Sequence, residues 1–256
     1  PECNNEMQYE LDSLKQYFTD SKMSINQKKS RCMLFNRATK HDFMQELQFN
    51  SDSNLEVVEE MKLVGYQLRT DLRTISNTNY IVRRAWNRMW VVRRLKSMGA
   101  SEADLLKVLR AQVLSVLQFA TPAWSTLLTK LEIARIESVL KTGLYLVYGD
   151  RFQSFKWALQ EAQMCSLEEQ RLKMFKNFTR HCLRNDKFKH WFMRTDQEDR
   201  EGVSTRQEKP TYKPVHTRTR AYARSAIPQM VNIANKLRPQ NTMTEIVLKS
   251  GQILVV

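Results

Sequence analysis

The chain has 256 residues, 42% of them hydrophobic, enough to bury the core of one large or two modest domains, which excludes a wholly disordered chain. Its formal charge of +14 and pI of about 9.7 attract a phosphate backbone or another anionic surface, and the placement of the charge decides whether that attraction is functional. The four cysteines (Cys3, Cys32, Cys165, Cys182) have no C-x-x-C spacing, which argues against a zinc site, and are too sparse for a secreted disulfide scaffold. A reducing, intracellular compartment, nucleus or cytoplasm, is therefore expected. No apolar run reaches the length of a membrane span: the best, Val139 to Tyr148, is short and carries Lys141, so no membrane partner is expected. The first residue is Pro1 rather than Met, which suggests a processed product or a piece of a longer chain.

Glycine and proline are scarce, six of each, which favours long helices. Met7, Leu11, Leu14 and Phe18 recur at four, three and four, predicting a helix from Glu6 to Lys22. Arg31 to Phe35 reads as a strand, Phe43 to Phe49 as a second, Asn50 to Asn54 as a loop and Met61 to Leu68 as a third strand with Gly65 inside it. After Asp71 the pattern turns helical. One long helix is predicted from Ser76 to Met98, capped by Ser76 or Asn77 and ended by Gly99. Ser101 caps the next, with Asp104 placed to reach back, and it runs to about Phe119 before Pro122 interrupts. Further helices are expected from Thr129 to about Leu146 (ended by Gly149), Phe152 to Gln163, Ser166 to Arg184 and Pro228 to Leu237, with a polar linker from Thr195 to Pro214. The expected fold class is mainly α: a small α+β segment, a break near Asp71, then a helical bundle.

Arg83, Arg84, Arg88, Arg93, Arg94 and Lys96 fall within four turns that contain no acid. Ile81, Ala85, Val92 and Leu95 are expected to face a core, with Trp86 and Trp90 on adjacent faces and assigned to packing rather than stacking. A solvated helix normally mixes signs to gain i,i+4 pairs, so an acid-free run points to a phosphate-facing helix over a merely soluble one. Arginine, with its bidentate fork, suits that contact. The stretch Lys213 to Ser225 is also basic and fits an RNA-binding arm or a soluble tail equally.

The segment MSINQKKSRCMLF (Met23 to Phe35) resembles motif D of the reverse transcriptases of non-LTR (LINE-type) retrotransposons, Asn-x-x-Lys-Thr before a strand, with Ser30 where threonine is usual. MKLVGYQL (Met61 to Leu68) resembles the next motif, E, with Val64 in place of the common leucine before Gly65. The helix from Glu6 to Lys22 is similar to the palm helix of that family, and the arginine-rich helix and the two after it to its thumb. AQVLSVLQFATPAW (Ala111 to Trp124), the run from Ser166 to Phe192 and TRTRAYARSAIPQM (Thr217 to Met230) resemble the segments that follow in order.

The resemblance implies the C-terminal part of an RNA-directed DNA polymerase: the end of a palm over residues 1–71, a helical thumb over 72–150, a post-thumb region over 151–194 and a basic, partly flexible segment over 195–256. It implies a primer–template duplex as partner together with an N-terminal half of the polymerase. Lys29 becomes a general acid or charge stabiliser for pyrophosphate departure, with Asn26 shaping its loop; the same lysine also fits a solvated basic turn. Mg²⁺ is expected for the full-length enzyme and no cofactor for this chain, because the Asp-Asp turn that holds the ions would precede Pro1 and no Asp-Asp occurs here. The acid pairs present (Glu59-Glu60, Glu168-Glu169, Glu198-Asp199) stand in helix or loop contexts unlike that turn. The chain alone is therefore expected to be inactive. The alternatives are a stand-alone basic helical nucleic-acid-binding protein derived from such an element, or a helical protein-interaction module.

Overall fold

The computed structural model describes residues 2–33, 35, 48–50, 53–195, 211–237, 246–247 and 253–254. The fold is mainly helical, with three two-stranded antiparallel sheets among the described residues. The chain divides into two compact units, residues 1–87 and 88–256.

In the first unit the apolar repeat produces α1 (Glu2–Asp20), two residues short of the expected end. Its Met7 and Leu11 pack with Ile25 and Val57 around buried Cys32, Phe49 and Leu55, whereas Leu14, expected on the same face, is 50% exposed. Among the described residues of Arg31 to Phe35 the expected strand does not form. Cys32 alone makes a parallel bridge to Val57, its N–H donating to Glu56 O (3.0 Å) and its carbonyl accepting from Val58 N (2.9 Å). One paired residue is too few to propagate a ladder. Strand β1 (Gln48–Asn50) pairs with β2 (Ser53–Asn54), which occupies part of the expected loop, while residues 43–47 of the expected second strand lie outside the described residues. The Gln8 amide of α1 bonds the backbone of β1 reciprocally, Nε2 to Gln48 O at 2.9 Å and Gln48 N to Oε1 at 3.0 Å, as a neighbouring strand would.

Met61 to Leu68 is a hairpin rather than one strand. β3 (Glu60–Leu63) and β4 (Tyr66–Arg69) flank a two-residue turn with positive φ at Val64 (47°) and Gly65 (89°). That is the backbone requirement of a type I′ turn. Glycine meets it without cost and β-branched valine does not, so the sequence disguises the turn. The hairpin is tied to the first turn of α2 (Ile75–Ser97): Ser76 Oγ donates to Glu60 Oε1 (2.8 Å) and Asn77 Oδ1 accepts from Gln67 N (3.3 Å). Ser76 and Asn77 therefore lie inside the helix. Thr74, whose carbonyl accepts the first helical bond from Thr78 N at 2.8 Å, stands at the cap position they were expected to fill.

The boundary between the units falls within α2, beyond the change of pattern at Asp71. In the second unit α2 ends on a Schellman motif, with Gly99 at φ 80°, Gly99 N bonded to Lys96 O and Ala100 N to Leu95 O. Ser101 caps α3 (Glu102–Val108) by accepting from Asp104 N at 3.2 Å. The helix then continues, as expected, but through a π-helical segment (Leu109–Leu114) into α4 (Ser115–Gln118). Pro122 sits in the first turn of α5 (Thr121–Trp124), where its missing N–H costs nothing. Full capping boxes open α6 (Lys130–Tyr148), through Thr129 and Glu132, and α8 (Leu167–Arg184), through Ser166 and Glu169. The helix expected from Phe152 to Gln163 is the shorter α7 (Phe155–Glu161), capped by Ser154.

Helix α6 packs on α3, α7 and α8, around buried Leu105, Leu109, Val113, Ile136, Leu140 and Leu144. Helices α9 (Arg220–Ala223) and α10 (Ala226–Lys236) close the unit, the latter packing on α8 through Met230, Val231, Phe175 and Cys182. Of the expected linker, residues 196–210 lie outside the described residues. Its ends are paired, Thr195 N to Thr211 O (3.1 Å) and Lys213 N to Met193 O (2.8 Å). A short pair, β5 (Ile246–Val247) and β6 (Ile253–Leu254), follows. Among the described residues no helix is long and apolar enough to cross a membrane.

The cluster beside α1 rests on three buried apolar residues, Cys32, Phe49 and Leu55, whereas α3 to α6 bury whole helix faces. Local opening follows buried apolar contact. Native-state hydrogen exchange should therefore show faster exchange at the amides of Cys32 and Val58 than from Leu105 to Leu117; equal protection would contradict this ranking.

Candidate nucleic-acid interface

Helix α2 buries Ile81, Val82, Ala85, Met89 and Val92 and leaves Leu95 half-buried. No acid occurs between Asp71 and Glu102, so the six cations of the helix have no carboxylate on their own element. The structure sorts these cations by what they touch.

In the first unit Arg83 is exposed and has no hydrogen-bond or ion-pair partner among the described residues. Arg84 lies against Tyr80, Nη1 donating to the phenol oxygen at 2.9 Å with the guanidinium 5.3 Å from the ring centre. Lys62 of β3 stands 5.0 Å from the same ring. Hydrogen bonding from Lys62, then the charges of Arg84 and Lys62, hold the Tyr80 phenol below its usual range. Lys62, Tyr80 and Arg84 thus form a basic cluster that joins hairpin to helix. Arg69 and Arg73, by contrast, are answered by Asp71 (3.0 and 3.7 Å), and Arg69 also by Glu60.

In the second unit two of the six cations are already committed. Arg88 is half-buried and donates from Nη1 to the carbonyl of Gln112 in the π-helical segment (3.1 Å). Lys96 Nζ donates to Leu146 O, near the C-terminus of α6, at 2.5 Å. That places a cation where the α6 dipole is negative. Gly149, which follows, stands at φ of 54°, a conformation that favours glycine, and a Cβ there would lie 2.9 Å from Lys96 Nζ. Arg93 and Arg94 are exposed, with no side-chain partner among the described residues.

The tryptophans do not share the role expected of them. Trp86 is half-buried, but Trp90 is 63% exposed. With Met89 and Val92 turned inward, about 100° per residue puts Arg94 on the side opposite the core and Trp90 between Arg94 and Arg93. Adding Met89 to the repeat of Ile81 and Ala85 fixes this phase from sequence and would have revealed Trp90.

Asn26 caps the 3₁₀ turn Gln27–Lys29, its Oδ1 accepting from Lys29 N at 3.2 Å and its carbonyl from Ser30 N at 3.0 Å. Asn26 therefore caps the turn, and Lys29 is an exposed side chain at its end. Gly65 forms the hairpin turn. The acids present do not fit a two-metal polymerase site. Glu60 is held by Arg69 and Ser76, Glu169 by the α8 cap, and no group of three or more His, Cys, Asp or Glu side chains among the described residues could hold a metal ion. Glu198-Asp199 lies outside the described residues.

Two other basic surfaces lie outside α2. Lys173, Lys176, Arg180 and Arg184 form an exposed stripe on α8, opposite buried Phe175, Thr179 and Cys182. In the stretch Lys213 to Ser225, Arg218 and Arg220 are exposed, while Arg224 donates to the carbonyls of Leu127 (3.2 Å) and Leu128. Comparison of the chain with protein-family models, with curated proteins and with solved structures finds no match.

Arg88 and Lys96 are thus expected to matter for stability, Arg93 and Arg94 for binding. Lys96→Met and Arg88→Met should each cost about 1 kcal/mol through lost charge-assisted bonds to backbone carbonyls. Arg93→Gln and Arg94→Gln should stay within about 0.5 kcal/mol of the parent. Urea denaturation of the four variants checks the split.

Proposed function

We propose that this chain grips a nucleic-acid duplex along α2, as the C-terminal, duplex-holding part of an RNA-directed DNA polymerase of the non-LTR retrotransposon type. The observation that carries the reading is the acid-free helix whose outward cations Arg83, Arg93 and Arg94 have no partner among the described residues. Guanidinium forks without carboxylates nearby are poised for phosphate oxygens, and such contacts hold register without reading sequence. In this reading residues 1–71 complete a palm, 72–150 act as its thumb, 151–194 follow it, and 195–256 form a basic closing segment. Lys29, exposed at the end of the Asn26-capped turn, then stands beside the departing pyrophosphate when the rest of the polymerase is present. The paired aspartates are not in this chain, so it binds duplex without extending a primer.

Binding to a short DNA duplex should fall steeply with salt. Each lost phosphate contact reduces the log–log slope by about 0.9 on B-form DNA, so Arg93→Gln/Arg94→Gln should reduce it by about 1.8 and weaken unrelated sequences alike. The charge-matched control is Lys173→Gln/Lys176→Gln on α8, which should leave most of the slope in place. Equal losses from the two pairs would mean that net charge rather than α2 carries the binding.

Primer extension gives the second check. With Mg²⁺ or Mn²⁺ and a homopolymer template, the chain alone should incorporate no nucleotide above a no-protein control; incorporation would overturn the assignment of the catalytic acids to another part of the enzyme.

A further inference from the structure

Trp90 stands in the middle of the cationic face of α2 and is 63% exposed. Its neighbours one turn on, Arg93 and Arg94, are exposed and have no side-chain partner among the described residues. A solvated helix gains nothing from a tryptophan at such a place: the indole forgoes burial, and helix propensity favours many smaller or charged residues. A duplex backbone does not account for it either. Phosphates are met by guanidinium forks, whereas the large face of an indole is complementary to another π-system.

We propose that Trp90 is a stacking platform for one unpaired nucleobase, with Arg93 and Arg94 holding the phosphates on either side of that nucleotide. The proposal rests on α2 being a nucleic-acid surface and adds which form of nucleic acid it prefers. Within a continuous duplex both faces of every base are covered by its neighbours, so an indole has nothing to stack on. In an overhang or a single-stranded stretch, an unpaired base can turn a face to the indole. The preferred ligand is therefore a junction between paired and unpaired nucleic acid. Discrimination among the four bases should be weak, because each offers a π-face and stacking reads no hydrogen-bonding edge. The rival occupant is a protein. It would have to cover the indole and bring carboxylates to Arg93 and Arg94, since α2 supplies none.

The test measures affinities of the full chain for a blunt duplex, for the same duplex with a four-nucleotide overhang, and for the overhang sequence as a single strand. 2-Aminopurine in the overhang reports stacking by its fluorescence. The parent should bind the overhang duplex more tightly than the blunt one and change the 2-aminopurine signal. Trp90→Ala should lose about tenfold on the overhang duplex and the single strand, leave the blunt duplex unchanged and abolish the fluorescence change, with Trp90→Phe retaining part of each effect. Because Trp90 is exposed, Trp90→Ala should keep the parent's thermal unfolding midpoint, and Trp90→Phe provides the same comparison if it does not. A Trp90→Ala variant that binds all three ligands like the parent overturns the stacking site and leaves the duplex reading standing. If Arg93→Gln/Arg94→Gln also leaves all three unchanged, the underlying reading fails as well. A change in oligomeric state on Trp90→Ala with unchanged nucleic-acid affinity overturns the proposal in favour of a protein contact.

Discussion

The cationic face of α2 depends on the packing of its buried side, beside Gly143. A Cβ at that position would lie 2.6 Å from Leu109 Cδ1 and 3.3 Å from Met89 Cε, so the glycine leaves room on α6 for both side-chain ends as they stand. Leu109 and Met89 are fully buried in the space this leaves, and each contributes about 1.5–3 kcal/mol of apolar burial. Their packing fixes the rotation of α2 in the second unit. Once Met89 and Val92 point inward, helical geometry carries Trp90 and Arg94 to the other side. The outward face is thus set from within, by the residues that α2 buries.

That arrangement has an electrostatic cost. Arg84 and Arg88 are like charges at i and i+4, which destabilise an exposed helix by a few tenths of a kcal/mol, and α2 has no acid to offset them. The fold relieves part of the repulsion by spending two cations on backbone carbonyls. Lys96 meets the C-terminal end of α6, where it favours both helices. Arg88 meets a carbonyl in the π-helical segment, a rare irregularity that loosens the usual hydrogen-bond ladder. Arg83, Arg93 and Arg94 receive no comparable compensation among the described residues. A helix that keeps such charges uncompensated while pairing Arg69 and Arg73 nearby is selective about where it leaves positive potential.

What could be read from sequence was what local chemistry decides. The cap at Ser101, the stop at Gly99 and the Asn26 turn each depend on residues within five positions of one another, and all formed. The cationic run on α2 was equally visible. What failed depends on partners distant in sequence or on backbone geometry. Arg31 to Phe35 has strand-like composition, but a strand needs a neighbour, and among the described residues only Cys32 finds one. Gly65 looked like an interruption within a strand because Val64 is a poor residue for positive φ, which hid the two-residue turn. The π-helical segment carries no Gly or Pro to announce it. The exposure of Trp90 and the commitment of Arg88 and Lys96 rest on the phase of α2 and on which carbonyls lie within reach; omitting Met89 from the core blurred the first, and no sequence pattern shows the second.

The net charge of the chain is therefore not one quantity with one meaning. Some of its cations answer carboxylates: Arg31 with Glu56, Arg69 with Glu60 and Asp71, Arg151 with Glu102 and Glu161. Others secure backbone carbonyls where helices end or loosen, as Lys96 does at Leu146, Arg110 at Ala162 and Arg224 at Leu127 and Leu128. Arg171 is buried, and the charges of Glu137 and Glu168 offset part of what burial costs it. None of these is available to a ligand without a loss elsewhere. The cations that can bear on a partner are the exposed ones without such ties, and on α2 they share one helix face with an aromatic ring. An exposed arginine alone is ordinary, and so is a basic stripe such as that on α8. It is the indole among unanswered guanidinium groups that separates α2 from the stripe on α8, because solubility accounts for the charge and leaves the ring unexplained.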